Sequence, residues 1–96
     1  MKRYEIMFIV KSTIEAENVK KTAETYKKLV SELNGKVEDY KEMGEKKLAY
    51  AIKKELNGYY FVMTVEANNE AISEFDRKIR LDENVLRHLV IRLDEE

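Results

Sequence analysis

Residues 44–65, GEKKLAYAIKKELNGYYFVMTV, decide how the rest of this chain is arranged. Two apolar runs, 48–52 and 59–65, lie on either side of a charged connection that ends in Asn57-Gly58. β-Branched and aromatic runs bounded by such a turn dipeptide predict a β-hairpin. The second run is apolar at nearly every position, which is typical of a central strand covered on both faces. One cover should be the protein's own helices, so the functional question is what covers the other face.

The segments around this hairpin alternate between strand and helix periods. Residues 4–10 alternate as a central strand, and 36–43 form a more polar edge strand that continues, bent at Gly44, through 52. Helical spacing predicts helices over 16–33 and 71–79, and a last strand runs over 85–93. The order predicts an α+β, ferredoxin-like βαββαβ fold with a four-stranded antiparallel sheet and two helices on one face. The first and third strands should lie in the middle.

The composition limits the classes of protein to which the chain can belong. Its 96 residues predict a single domain over 1–96 with a short acidic tail, 94–96. With 18 basic and 19 acidic residues the net charge is −1, which argues against a free-standing, charge-driven nucleic-acid binder. This net charge is compatible with local basic patches that bind nucleic acid together with a more basic partner protein. No run is long enough for a membrane span or typical of a secretory signal, and the absence of cysteine is compatible with the cytoplasm.

The sequence offers no catalytic constellation. Nucleophilic catalysis needs a nucleophile beside a base, and the serines fall at predicted caps or in helices. The lone histidine, His88, lies in the last strand without cysteine partners, so it makes a poor metal site. No glycine-rich phosphate loop is present. We therefore expect a non-enzyme with no cofactor and no metal.

The sheet face away from the helices is the first candidate surface. Strand alternation places six apolar side chains there: Met7, Ile9, Tyr60, Val62, Leu89 and Ile91. An exposed apolar patch of this kind indicates a protein interface, with Tyr60 and Val62 as the predicted partner contacts. The alternative is that a loop or the tail covers it.

Basic residues near the strands form the second candidate surface. They occur as the pairs Lys2 and Arg3, Lys46 and Lys47, and Arg87 and Arg92. Such pairs along one sheet can position a phosphate backbone, although charged residues at strand ends are most often only solvated.

Two other functions fit the element order. RNA-recognition domains share it and stack bases on aromatic residues of the first and third strands. Residues 57–64 partly match their third-strand octamer, but Asn57, Tyr60 and Thr64 depart from it. The second alternative is a ferredoxin-like metabolite-sensing module.

Four segments resemble the bacterial small-subunit ribosomal protein S-six (S6) family. These are residues 3–10, RYEIMFIV; Gly44 followed by Lys46-Lys47-Leu48-Ala49-Tyr50; residues 57–60, NGYY; and 75–77 with 84–90, FDR and NVLRHLV. The similarity covers essentially the whole chain, in order and with matching spacing. One departure is Lys46-Lys47 in place of the commoner Arg-Arg, which keeps the charge but loses the bidentate geometry of arginine.

The resemblance implies a ferredoxin-like structural protein of the small ribosomal subunit in the cytoplasm. It implies binding to small-subunit ribosomal RNA as a heterodimer with the more basic ribosomal protein S-eighteen (S18), during assembly of the central platform. On the matching positions, Arg3, Lys46, Lys47 and Arg87 are the expected RNA-binding residues.

Overall fold

The computed structural model describes residues 2–93 and confirms the predicted element order. The elements are β1 (Lys2–Lys11), α1 (Ala16–Glu32), β2 (Lys36–Ile52), β3 (Glu55–Ala67), α2 (Asn69–Arg80) and β4 (Val85–Arg92). The predicted acidic tail, 94–96, lies outside the described residues.

The four strands form one antiparallel sheet in the order β2-β3-β1-β4. The first and third strands are therefore central, as the apolar character of both their faces predicts. The two helices pack on one face of the sheet, where their buried side chains meet Ile6, Phe8 and Met63. The α+β ferredoxin-like fold is confirmed.

Aromatic rings join the sheet to both helices. Phe8 of β1 stacks on Phe61 of β3 with ring centroids 5.2 Å apart, and it meets Tyr26 of α1 edge-on at 5.8 Å. Tyr26 in turn meets Phe75 of α2 edge-on at 5.8 Å. Offset and edge-to-face pairs are favourable beyond the area they bury, so this chain of rings fixes how the helices sit on the sheet.

The Tyr26 hydroxyl makes the core sensitive to alkaline pH. It donates to Asp82 Oδ2 at 2.5 Å, and burial together with this carboxylate raises the pKa of Tyr26 well above its ordinary value near 10. Because the pKa is raised, the stabilisation is present below about pH 10 and is lost as the pH rises toward the folded-state value. When the pH is raised from about 9 to about 11, the free energy of unfolding should fall for the unsubstituted chain and should fall less for Tyr26→Phe, which has no phenol to ionise. Urea titrations at the two pH values measure both decreases. Equal losses would contradict this.

The hairpin is confirmed, but its predicted turn is wrong. The turn lies at Lys53 and Lys54, whose φ values of 51° and 67° match the two-residue hairpin turn with positive φ at both positions. Asn57 and Gly58 lie inside β3. Gly58 is required there because an added Cβ would lie 2.3 Å from Ile9 Cγ2. Gly58 therefore allows β3 to pack closely against β1, and it does not form the turn of the hairpin.

The predicted kink in β2 is confirmed. The strand runs unbroken from Lys36 to Ile52, with irregular pairing between Glu42 and Gly44 and a φ of +86° at Gly44. Beyond this kink, residues 45–58 form the part of the hairpin that we call the arm. The arm leans over the sheet face away from the helices.

Candidate nucleic-acid and protein interface

The open face is the sheet surface opposite the helices, and the pairing register defines its residues. Paired residues on neighbouring strands share a face, so the open face can be read as rows across the sheet. From one end to the other, the rows are Lys36, Glu66 and Arg3; Asp39, Thr64, Glu5 and Ile91; Lys41, Val62, Met7 and Leu89; Gly44, Tyr60, Ile9 and Arg87; and Lys46, Gly58 and Lys11.

The predicted apolar positions all lie on this face. Tyr60 and Val62 pair with Ile9 and Met7, and Leu89 joins the Met7 row. His88 lies on the other face, where its Nε2 is 2.6 Å from Asp76 Oδ1 of α2. The histidine therefore pairs with a helix and has no place in the interface.

The arm covers one half of the open face, so the chain does cover part of this face itself, with a hairpin in place of the loop or tail of the alternative. Leu48 of the arm is buried against Ile9 and Leu86, and Tyr60 is half-buried beside them. A concavity of about 270 Å³ lies beneath the arm and is lined by Met7, Ile9, Leu48, Ala49, Tyr50, Ile52, Tyr60, Arg87 and Leu89. The protein's own hairpin thus supplies part of the missing cover.

Two polar contacts hold the arm against β4. Arg87 Nη1 donates to the Tyr50 hydroxyl at 2.7 Å, and Lys53 Nζ donates to the Val85 carbonyl at 3.4 Å. The guanidinium of Arg87 keeps further donors because it carries five N–H groups in a fixed fork. Arg87 can therefore hold the arm and still present donors to an anion.

One end of the open face is basic, and we call it the basic end. It contains Lys11, Lys46, Lys53, Lys54 and Arg87, from three different segments of the chain. Lys46 and Arg87 lie on the outer strands of a four-stranded sheet, roughly 14 Å apart at the usual strand spacing. That width spans more than one phosphate of a nucleic-acid strand.

Lys46 and Lys47 lie on opposite faces of the arm. Lys46 pairs with Gly58 in the row beside Arg87, whereas Lys47 pairs with Asn57 and points the other way. Both are exposed on an edge strand. The two side chains therefore flank the edge of the arm and can contact a backbone that runs along it.

Arg3 lies at the opposite end of the sheet from the other three predicted RNA-binding residues. Its row is about 27 Å from that of Lys11, since eight residues of extended strand separate them. Arg3 Nε also forms an ion pair with Glu38 Oε1 at 3.0 Å. The structure brings Arg87 and Lys46 together and does not bring Arg3 to them.

Sequence reasoning missed Lys53 and Lys54. The two adjacent lysines were assigned to a charged connection, whereas they form the tip of the arm. The sequence signal that could have identified them is the pair of adjacent lysines directly after the apolar run 48–52. Reading it as the turn would have placed both charges at the basic end.

The described part of the chain lacks two other kinds of site. Among residues 2–93, no three His, Cys, Asp or Glu side chains are placed to hold a metal ion. Neither helix of that region is long and apolar enough to cross a membrane.

Comparison with known proteins gives one consistent result. The family model described as Ribosomal protein S6 matches residues 3–92. Proteins named small ribosomal subunit protein bS6 from Helicobacter acinonychis and Helicobacter pylori are 44% and 42% identical over 94 residues, which is 98% of this chain. The chain spans 66% of the length of each of these relatives.

A solved structure agrees with the sequence matches. The crystal structure of 30S ribosomal protein S6 from Thermotoga maritima superimposes with a TM-score of 0.90 at 29% identity, covering 95% of this chain and 86% of that one. The chain therefore belongs to the ribosomal protein S6 family, a family of structural proteins of the small subunit of the cytoplasmic ribosome, and not of enzymes.

Proposed function

We propose that this protein binds small-subunit ribosomal RNA jointly with ribosomal protein S18, as a heterodimer, during assembly of the central platform. The observation that carries the proposal is the basic end, where five cationic side chains from three chain segments converge in a protein whose net charge is −1. A local charge patch on a neutral protein favours binding beside a partner over binding alone.

Lys46, Lys47 and Arg87 are the proposed RNA contacts. They are exposed, and Lys46 and Arg87 belong to adjacent rows at the same end of the sheet. Lys53 and Lys54 extend the same surface at the tip of the arm. These side chains would read the phosphate backbone and its position, not the sequence of bases.

Tyr60 and Val62 are the proposed contacts with S18. Both side chains are half-buried on the open face. Val62 lies in the middle row beside Met7. Unlike Met7 and Leu89, Val62 does not line the concavity beneath the arm. Tyr60 lines that concavity, so its contact with a partner would be through the exposed part of its ring.

Base stacking on the sheet is not supported by the geometry. The aromatic residues of the central strands that would form the platform, Phe8 and Phe61, are buried beneath the helices. Tyr60, the aromatic residue of β3 on the open face, is partly covered by the arm. A stacking platform needs exposed rings on adjacent central strands.

The proposal is tested by measuring RNA binding with and without S18. We expect the chain alone to bind a small-subunit ribosomal RNA fragment poorly at physiological salt, and the equimolar pair with S18 to bind tightly, with affinity falling steeply as salt rises. Tight binding by the chain alone would contradict joint binding. A small-molecule thermal shift without RNA co-purification would favour a metabolite-sensing module instead.

A further inference from the structure

The apolar surface that the arm leaves uncovered lies along β4. Leu89, which also lines the concavity beneath the arm, and Ile91 are still 48% and 44% exposed. Leu93 follows β4, donates its N–H to the Arg3 carbonyl at 2.9 Å and is 38% exposed. Under the arm, by contrast, Ile9 is 4% exposed. The apolar surface still available to a partner is therefore centred away from Tyr60, on the far half of the face.

That far half is acidic, and we call it the acidic end. Its first two rows and the adjoining Glu38 contribute the carboxylates of Glu5, Glu38, Asp39 and Glu66, against the cations of Arg3 and Lys36. The remaining cations at this end, Lys2 and Arg92, pair with Ala67 and Tyr4 and so fall on the helix face. The open face thus changes from net negative at one end to net positive at the other, across a middle row that is apolar at Val62, Met7 and Leu89 and has Lys41 on the edge strand β2.

We infer that the protein partner docks on this uncovered half, with a basic polypeptide segment against the acidic end and apolar side chains against Leu89, Ile91 and Leu93. Charge complementarity selects this occupant, because the carboxylates attract lysine and arginine and repel phosphates. The inference rests on the proposed function and assigns the seat and the direction of the partner within it. Val62, in the row of Leu89, belongs to this seat, and Tyr60, one row nearer the basic end, lies at its margin.

The arrangement separates the two binding partners of the sheet. A basic segment neutralises the carboxylates of the acidic end, which lies about 27 Å from the RNA contacts, so that the seated partner and the RNA occupy separate parts of the face. The basic end stays uncovered beside the seated partner. The polarity of the face therefore fixes the partner in one direction, because reversal would place its basic segment on Lys46 and Arg87.

The test is a charge reversal at the acidic end. We expect Glu5→Lys with Glu66→Lys to weaken binding of purified S18 at least tenfold at low salt, and the difference from the unsubstituted chain to shrink as salt rises. Glu17→Lys with Glu32→Lys on α1 makes the same change in net charge on the helix side and should leave the affinity within about twofold. Glu5→Gln with Glu66→Gln should give an intermediate loss, and thermal melts establish that each variant is folded.

Each outcome distinguishes the inference from the proposed function. If the unsubstituted chain binds S18 and the Glu5 and Glu66 reversal binds equally well, the inference is overturned and the proposed function stands. If the unsubstituted chain does not bind S18, both are overturned. Self-association of the isolated chain that Ile91→Ser abolishes would identify a second copy as the occupant and would also overturn the inference.

Discussion

Replacing Lys46 and Lys47 with Glu is expected to lower the affinity of the chain–S18 pair for ribosomal RNA about 100-fold at physiological salt, at roughly 1.4 kcal/mol or more for each lost phosphate contact. The two side chains flank the edge of the arm, so the substitution removes two contacts and adds two repulsive charges at that edge. The slope of log affinity against log salt should become shallower by about two, because fewer counterions are released. A filter-binding titration at several salt concentrations measures both quantities.

Two matched variants show whether position or net charge is responsible. Lys20→Glu with Lys21→Glu makes the same change in charge on an exposed part of α1 and should weaken RNA binding only slightly. Arg3→Gln should also have a small effect, because Arg3 lies at the acidic end and is paired with Glu38. An equal loss in the Lys20→Glu, Lys21→Glu variant, which carries the same net charge, would mean that RNA senses only the total charge, and the basic end would then have no specific role.

The order of elements and the faces of the strands could be predicted from local sequence. Alternation in residues 4–10 and 59–65 depends on a period of two, so Phe8 and Phe61 were placed under the helices and Met7 and Val62 on the open face without knowledge of their partners. The stripe of α1 follows from a period of 3.6 in the same way. Both periods depend only on residues close together in the chain, so they can be recognised in one sequence without a structure.

The features that the sequence did not predict depend on contacts between distant segments. Asn57-Gly58 has the composition of a turn, and only the approach of Ile9 to Gly58 shows that the glycine is needed within a strand. The arm could be predicted as a hairpin, but its position over β1 and β4 depends on Leu48 reaching Ile9 and Leu86. The separation of Arg3 from Lys46 likewise follows from the register of three strands.

Gly58→Ala is expected to destabilise the protein by about 3 kcal/mol, at the upper end of the usual cost of inserting a methyl group into a packed site. The new Cβ would lie 2.3 Å from Ile9 Cγ2 and 3.3 Å from the Val10 carbonyl oxygen. Ile9 cannot move away cheaply, because its β-branched side chain is held at χ1 and is 4% exposed between Leu48 and Leu86. Urea titrations at neutral pH measure the loss.

A double-mutant cycle with Ile9→Ala identifies steric contact as the cause of that loss. Ile9→Ala alone should cost roughly 2–5 kcal/mol for the apolar contacts and the cavity it leaves, but it also removes Cγ2. Gly58→Ala should then cost little in the Ile9→Ala background, which gives a coupling energy of about 2 kcal/mol or more. Gly44→Ala serves as the control: nothing lies within 4 Å of its added Cβ, so only the strain of its φ of +86°, about 1–2 kcal/mol, is expected. If Gly58→Ala costs no more than Gly44→Ala, the approach of β3 to β1 at Gly58 can accept a methyl group, and a glycine is not required there.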